Sequence, residues 1–495
     1  MNHRTLSIGA SRRKAVAGLA LGMLVAASPR AWAAKSESVT KLGLVLNRPD
    51  RALANAKALK KAMDNKVRHL FFPAGDCYID NKPFANQDGV VIENFGGEVT
   101  MDAQARIRFT RNTTRGLVFN GGHGARFYSL YTDFVTRPTV RGNSMECILF
   151  IASTNTSLTQ VRIDGSAGAG LLFHHCVNPS VTHAEVSHTM ADGVHFANCQ
   201  DGRADSILTT DTGDDGVAFV NYVNGPAYTG GLATNIVVED SCARGIAVIG
   251  QSNVTVQRFV VESSAVSGLI CAYDASYSTR VSSGVRFLNG SVRHGGAYHG
   301  ERSTQGNLPQ NGNTYGIEIH SAQSVEVSDV EVSMAGSRGV SCYQATPVVG
   351  GTVTLSDVRV SDVPLDGFNL QGTRPVSAAD VGCEYILSNC ATTRTGSQGF
   401  YFGQCGRVTY DTLSVTSASL VDPLRRAAHF DHSDTTWAGI VAGQSLRMID
   451  TMATPTGYVV ISTGTQTGTM GELRDEIVNG APQVQNYSGL GYSLA

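Results

Sequence analysis

The chain has 495 residues, 16% of them charged, with 54 glycines and 14 prolines. That length allows a large core, and the glycine-rich, charge-poor composition suits an extended β architecture and excludes a highly charged disordered chain. The formal net charge is −2, and it becomes about −7 once the first 33 residues, which carry Arg4, Arg12, Arg13, Lys14, Arg30 and no acid, are set aside. Such an acidic balance argues against a nucleic-acid partner.

Residues 1–33 read as an export signal. Arg12-Arg13 precede the apolar run Ala15 to Ala27, and Ala31-Trp32-Ala33 offers a small-x-small cleavage site. The run is too short to span a bilayer. Ser11-Arg12-Arg13-Lys14 resembles a twin-arginine signal, which places the mature chain in the periplasm or outside the cell. No cysteine lies near the cleavage site, so no lipoprotein membrane anchor is expected. Nothing in the sequence sets the oligomeric state.

Residues 34–98 are expected to form an N-terminal cap. Asp50 to Asn65 reads as a helix, with Asp50 capping it and Ala52, Ala56, Leu59 and Met63 on one face. A strand and turn follow at His69 to Asp80. An open solenoid end exposes unpaired strand edges, so a covering element is needed there.

From residue 99 to 405 a short phrase recurs: glycine, then an apolar, a variable and an apolar residue. It begins at Gly124, Gly170, Gly193 and Gly216, and Cys147 fills the one gap, giving starts 23 positions apart. A fixed period in the twenties on β-rich phrases is the mark of a stacked solenoid, here a single-stranded right-handed parallel β-helix of about 23 residues per coil. Strand alternation turns the third residue of each phrase inward. That column reads Phe127, Phe150, Phe173, Phe196, Phe219, Val248, Cys271, Ile319, Cys342, Leu370 and Phe402. All are apolar. Cys176 and Cys199, one period apart, and Cys271 and Cys342, in core positions, are expected to be buried thiols rather than disulfides. Tyr222 to Gly231 and Gly295 to Asn313 read as long loops of the kind that shape clefts. Residues 406–495 lose the repeat and are left as a C-terminal cap, a small β region or an oligomerisation element.

The residue before each opening glycine forms a second column, in which stacking puts Asp192, Asp215 and Arg244 on consecutive rungs with Asp214 beside them. Crowded carboxylates repel, and one is pushed toward its protonated form; a proton donor beside a carboxylate is what glycoside cleavage needs. Asp214 and the outward-facing His195 share this face, and Ala218 and Ala247 are expected to leave it open above. The competing reading is structural, because Asp-Gly is a favoured turn pair in which glycine accepts positive φ, and Asp366-Gly367 is read that way.

Phe72-Pro73-Ala74-Gly75 with Tyr78 resembles the opening of pectate-lyase-like and polygalacturonase-like β-helix proteins. Met190-Ala191-Asp192-Gly193 and Asp214-Asp215-Gly216 resemble, in place and spacing, the Asn-Thr-Asp-Gly and Asp-Asp motifs of the family 28 glycoside hydrolases. Arg244 stands where that family has its histidine, and Ile270-Cys271-Ala272 where it has Arg-Ile-Lys. The resemblance implies Asp214 as general acid and Asp192 and Asp215 holding the attacking water in an inverting mechanism on a polysaccharide; His195, Arg244 and His188, on or beside the same face, are the candidate substrate-binding residues. No cofactor is implied. No lysine follows Lys82, so a lyase on this scaffold would instead use aspartate-bound calcium, with Asp205, Asp211 and Asp240 as further candidates, and Arg244 as base. A non-catalytic glycan-binding or assembly role also fits the scaffold. The spacings of His174, His175, His183, His188 and His195 match no transition-metal ligand pattern and the group reads as solvent-facing, so no metal site is assigned.

Overall fold

The computed structural model describes residues 36–65, 67–297, 314–344, 351–372, 383–403, 405 and 407–416, and beyond them the backbone of five strands. The expected export signal and much of the 295–313 loop lie outside the described residues. No described helix is long and apolar enough to cross a membrane. The chain divides into two compact units, one holding residues up to 217 together with 231–239, the other 218–230 and everything from 240 on.

In the first unit, short strands stack in one parallel ladder: Val90–Glu93, Leu117–Asn120, Ile148–Ile151, Leu171–His174 and Val194–Ala197. Longer strands, among them Ser157–Ser166, Ser180–Thr189 and Gly202–Thr212, form a second. Ile148 faces Leu171 and Leu171 faces Val194, so one period of 23 is one rung. The inward phenylalanines stack along the axis, with centroid separations of 4.8 Å for Phe119 and Phe150, 5.3 Å for Phe150 and Phe173, and 5.2 Å for Phe173 and Phe196. Burying each such ring contributes about 1.5–3 kcal/mol.

One rung differs from expectation. The partner of Phe150 is Phe119, so the coil below opens at Gly116, and Phe127 lies opposite Leu158 in the other ladder. Phe127 is buried all the same, which is why an apolar count did not separate it from the true column.

Polar residues mark the corners. Gln160, His183, Ser206 and Asn235 recur with φ of 54–58°, as do His188 and Asp211 one corner on. Short polar side chains tolerate the left-handed region better than branched ones. The phrase-opening glycines have another cause. Gly193 is not among the positive-φ residues; a Cβ there would lie 2.6 Å from the carbonyl oxygen of Gly216. Close approach of the next coil, rather than turn geometry, selects glycine at this point.

At the N-terminus the helix runs Ala52–Asp64 and buries Ala52, Ala56, Leu59 and Met63 as expected. Asp50 does not cap it. A 3₁₀ turn at Pro49–Arg51 intervenes, and the Asp50 carboxylate binds the Arg48 guanidinium at 2.8 Å. Buried Asn55 instead ties the helix down, accepting from Val45 N–H and donating to the Val45 and Tyr78 carbonyls. Parallel pairing starts well before residue 99, since His69–Phe72 pairs with Glu98–Met101; the cap and the first coils interleave.

The second unit repeats the architecture. Ile246–Ile249, Ser267–Ala272, Tyr315–His320, Arg338–Tyr343, Phe368–Gln371 and Phe400–Gly403 pair in parallel order. The ladder continues through Arg426–Asp431, Tyr458–Ser462 and Gln483–Asn486, so the coils run on past residue 405 although the sequence repeat fades. Cys271 and Cys342 occupy ladder positions facing Ile319, and all ten cysteines are free and buried. Ala218 and Ala247 do not leave an open face. Both are wholly buried in an apolar cluster with Val220, Ile249, Ile270 and Ala272, packed by Tyr222. The loop that follows Tyr222 is held by Arg280, whose guanidinium donates to the Val223 and Gly225 carbonyls.

Candidate active site

The acidic residues sit on two stacked turns of the first unit. Buried hydroxyls close the turns: Thr189 Oγ1 donates to the Ala191 carbonyl at 2.7 Å and Thr212 Oγ1 to that of Asp214 at 3.0 Å. Gly213 lets the upper turn rest on the lower, for a Cβ there would lie 2.5 Å from backbone atoms of Met190. The stacking aligns Asp192 beneath Asp215, whose backbone N–H donates to Asp192 Oδ1 at 3.1 Å.

One oxygen of each of Asp192, Asp214 and Asp215 lies within 4.8 Å of the others. At an effective dielectric near 20, two such charges repel by roughly 3–4 kcal/mol. Two cations oppose this. His195 Nδ1 lies 2.7 Å from Asp192 Oδ2, and Arg141 Nη1 lies 2.8 Å from Asp214 Oδ2. Burial pushes the Asp192 carboxyl up, but the His195 ring and Arg141 outweigh it and hold it below the usual carboxylate range. Burial likewise opposes charge on His195, yet the three aspartates raise it above the ordinary imidazole value. His195 Nε2 is buried and has no hydrogen-bond partner among the described residues. The Asp214 side chain is 24% exposed against 12% for Asp192, so Asp214 is the more accessible of the two carboxyls.

Arg141 was not anticipated. It rides on the segment 135–146 between the strands Tyr131–Phe134 and Ile148–Ile151. The coil opening at Gly116 is 31 residues from the next rather than 23, and that excess was the available signal, hidden by taking Gly124 as the start of the rung.

His188 does not join the triad. Its Nδ1 lies 2.7 Å from Asp164 Oδ1 and its Nε2 3.9 Å from Asp211 Oδ2, a corner network that Arg137 extends through Asp164. Asp205 accepts from Asn235 and Asp240 from Ser263, so neither Asp205, Asp211 nor Asp240 is gathered with the three carboxylates. His174 and His175 are stacked at 3.8 Å rather than freely solvated, and burial with the neighbouring His175 and His195 charges lowers His174 to about 4.

In the second unit Arg244 lies near Glu318, which also accepts from Ser267 Oγ at 2.6 Å; burial raises that carboxyl, with Ser267 and Arg244 opposing. Asp366 is more than a turn residue. It accepts from Arg338 at 3.1 Å, from Asn369 at 2.9 Å and from the Gln398 N–H one coil on at 3.3 Å. This repeats the Asp192 bond to the next coil, with asparagine in place of histidine.

Fold and cluster together define a parallel β-helix protein that gathers three carboxyls, two of them buried and one partly exposed. No family model matches the sequence, and no curated protein matches it. Among solved structures, the catalytic domain of a GH87 alpha-1,3-glucanase in complex with nigerose is similar over 78% of this chain and 66% of its own length, at 13% identity and a TM-score of 0.53. The same domain with an aspartate replaced by alanine, in complex with tetrasaccharides, is similar over 83% and 70%, again at 13% identity and a TM-score of 0.53. The chain thus spans just under two thirds of the first of these. At that identity the likeness is one of fold: the chain is a right-handed parallel β-helix of the pectin-lyase-like kind, and the narrower family 28 membership is not established.

Proposed function

We propose that the chain is an exported carbohydrate-active enzyme, a glycoside hydrolase cleaving a polysaccharide, with Asp192, Asp214 and Asp215 as its reacting carboxyls. The observation that carries this is the convergence of three carboxylate oxygens within 4.8 Å, Asp192 and Asp215 buried and Asp214 partly exposed. Such crowding opposes stability and is kept where its proton affinity is used. Asp214, the most exposed, protonates the leaving oxygen, while Asp192 and Asp215 hold the attacking water. His195 fixes Asp192, and Arg141 orients Asp214. Acid and base of an inverting enzyme usually stand about 6.5–9.5 Å apart and those of a retaining one about 5–5.5 Å; the nearest oxygens here lie within 4.8 Å, below the inverting range, so the anomer of the first product is the direct test of the inverting assignment. The nigerose and tetrasaccharide complexes of the structural neighbours make alpha-1,3-glucan the first substrate to test.

The same three oxygens could cup calcium in a lyase or epimerase, but both oxygens of Asp192 and one of Asp214 already accept bonds from protein donors, which favours the hydrolase. The test is incubation of the purified chain with a panel of glucans and uronate polymers. New reducing ends, lost in Asp214→Asn and unaffected by chelator, are expected, and NMR of the first product should show an inverted anomer. Unsaturated, ultraviolet-absorbing ends that need calcium would replace this reading with the lyase, and glycan binding without turnover would replace it with a binding protein.

A further inference from the structure

We propose that the first unit carries a second site, an oxyanion-binding recess for a carboxylate, phosphate or sulfate group, built by its first coils. A cavity of about 500 Å³ opens there among Arg68, His69, Glu98, His123 and Arg126, a volume within the range of small-ligand sites. The register explains its composition. His69 pairs with Glu98, and Glu98 with Arg126, so three ionisable side chains stand one above another along the ladder. Arg68 and His123 flank them.

Glycine borders the hollow. A Cβ at Gly96 would lie 2.6 Å from the carbonyl oxygen of His123, and one at Gly97 2.9 Å from that of Arg68, so these two glycines let neighbouring backbone approach closely. Gly124, with φ of +73°, has nothing within 4 Å of where its Cβ would be, and it is this position that leaves open space beside the charged column.

The charge distribution says what fits. Many arginines of this unit are engaged by carboxylates, among them Arg106 and Arg108 by Asp76 and Asp133, Arg111 by Asp80, Arg115 by Glu146, Arg137 by Asp164 and Arg141 by Asp214, whereas Arg203 is exposed. The side chains of Arg68 and Arg126 make no ion pair or hydrogen bond among the described residues. The one carboxylate at the recess, Glu98, is 7% exposed and faces His69 Nδ1 at 3.9 Å. His123 is oriented by its Nδ1 contact with Thr154 Oγ1 at 2.7 Å. Two unneutralised guanidinium groups, which match planar oxyanions, thus border a hollow in a chain whose overall charge is negative. An acidic sugar and a free phosphate would be recognised by the same chemistry.

The inference does not rest on the hydrolytic reading, and its test uses no turnover. Calorimetric titration of the purified chain with inorganic phosphate, a uronic-acid trisaccharide and a neutral trisaccharide is expected to show saturable binding of at least one anion, with any binding of the neutral sugar insensitive to substitution of Arg68 or Arg126. Phosphate alone would mark the ligand as a free oxyanion, the uronate alone as an acidic glycan. Arg68→Glu and Arg126→Glu, both at exposed positions and checked for retained fold by circular dichroism, should each weaken binding about tenfold to a hundredfold, the worth of one charged hydrogen bond. Asp214→Asn should leave it unchanged. The proposal is overturned if neither anion binds, if the charge reversals weaken neutral-sugar binding as much as anion binding, or if both charge reversals leave anion affinity intact.

Discussion

Pairing of Asp192 with His195 makes a stability prediction that can be worked from the structure. Their side chains are 12% and 13% exposed and 2.7 Å apart, so solvent screens them little. A hydrogen bond between charged partners contributes roughly 1.5–3 kcal/mol, and removing one partner of a buried pair costs up to about 3–5 kcal/mol because the other is left uncompensated. A double-mutant cycle of Asp192→Asn and His195→Gln, read by urea unfolding at pH 5.5, should give a coupling of about 1.5–3 kcal/mol. Asp192 is held below the usual carboxylate range, so its share is present above the unfolded value near 3.9 and lost as pH falls through the lower folded value. His195 is raised, so its share is present below the unfolded value near 6.5 and lost as pH rises through the higher folded value. The coupling should therefore be full from about pH 4 to 6.5 and fade on both sides. A coupling within about 0.5 kcal/mol of zero at pH 5.5, the scale of additive noise, or one that grows with alkalinity, would refute the pairing.

Asp366→Ala should cost about 1.5–3 kcal/mol by removing a charged acceptor from Arg338 while leaving catalysis unchanged, and Asn369→Ala should cost less and show no pH dependence; loss of turnover in either would show that the second unit takes part in the chemistry. Arg141→Ala breaks a partly exposed ion pair and should lower stability by no more than about 1 kcal/mol, yet reduce turnover at least about tenfold, the effect of misplacing a reacting carboxyl; a larger stability loss with unchanged activity would make Arg141 a tether of its loop. Phe173→Ala empties a fully buried slot between Phe150 and Phe196 and should cost about 3–5 kcal/mol in chemical denaturation. Ellman's reagent should find no reactive thiol in the native chain and ten after denaturation, since every cysteine is buried and burial pushes thiols such as Cys77, Cys147 and Cys271 up to about 12.

Much of this protein was legible because a solenoid converts a constant interval in sequence into a constant step in space. Ile148, Leu171 and Val194 each face the next, so the 23-residue spacing alone put Asp192 under Asp215 and made the inward column apolar. The helix over Ala52–Asp64 was readable from its buried stripe, as were the thiols that replace core residues at Cys271 and Cys342. What the sequence left open lies where the interval breaks. Phe119 rather than Phe127 belongs beneath Phe150, Arg141 reaches Asp214 from an insertion 73 residues away, and strands continue past residue 405 without a visible repeat. Ala218 and Ala247, small and outward-facing, were taken for an opening and are instead covered, and His188 turned to Asp164 at a corner. Each of these depends on where an inserted segment or a long side chain comes to rest. That is settled by contacts between residues far apart in the chain, and no local pattern encodes it.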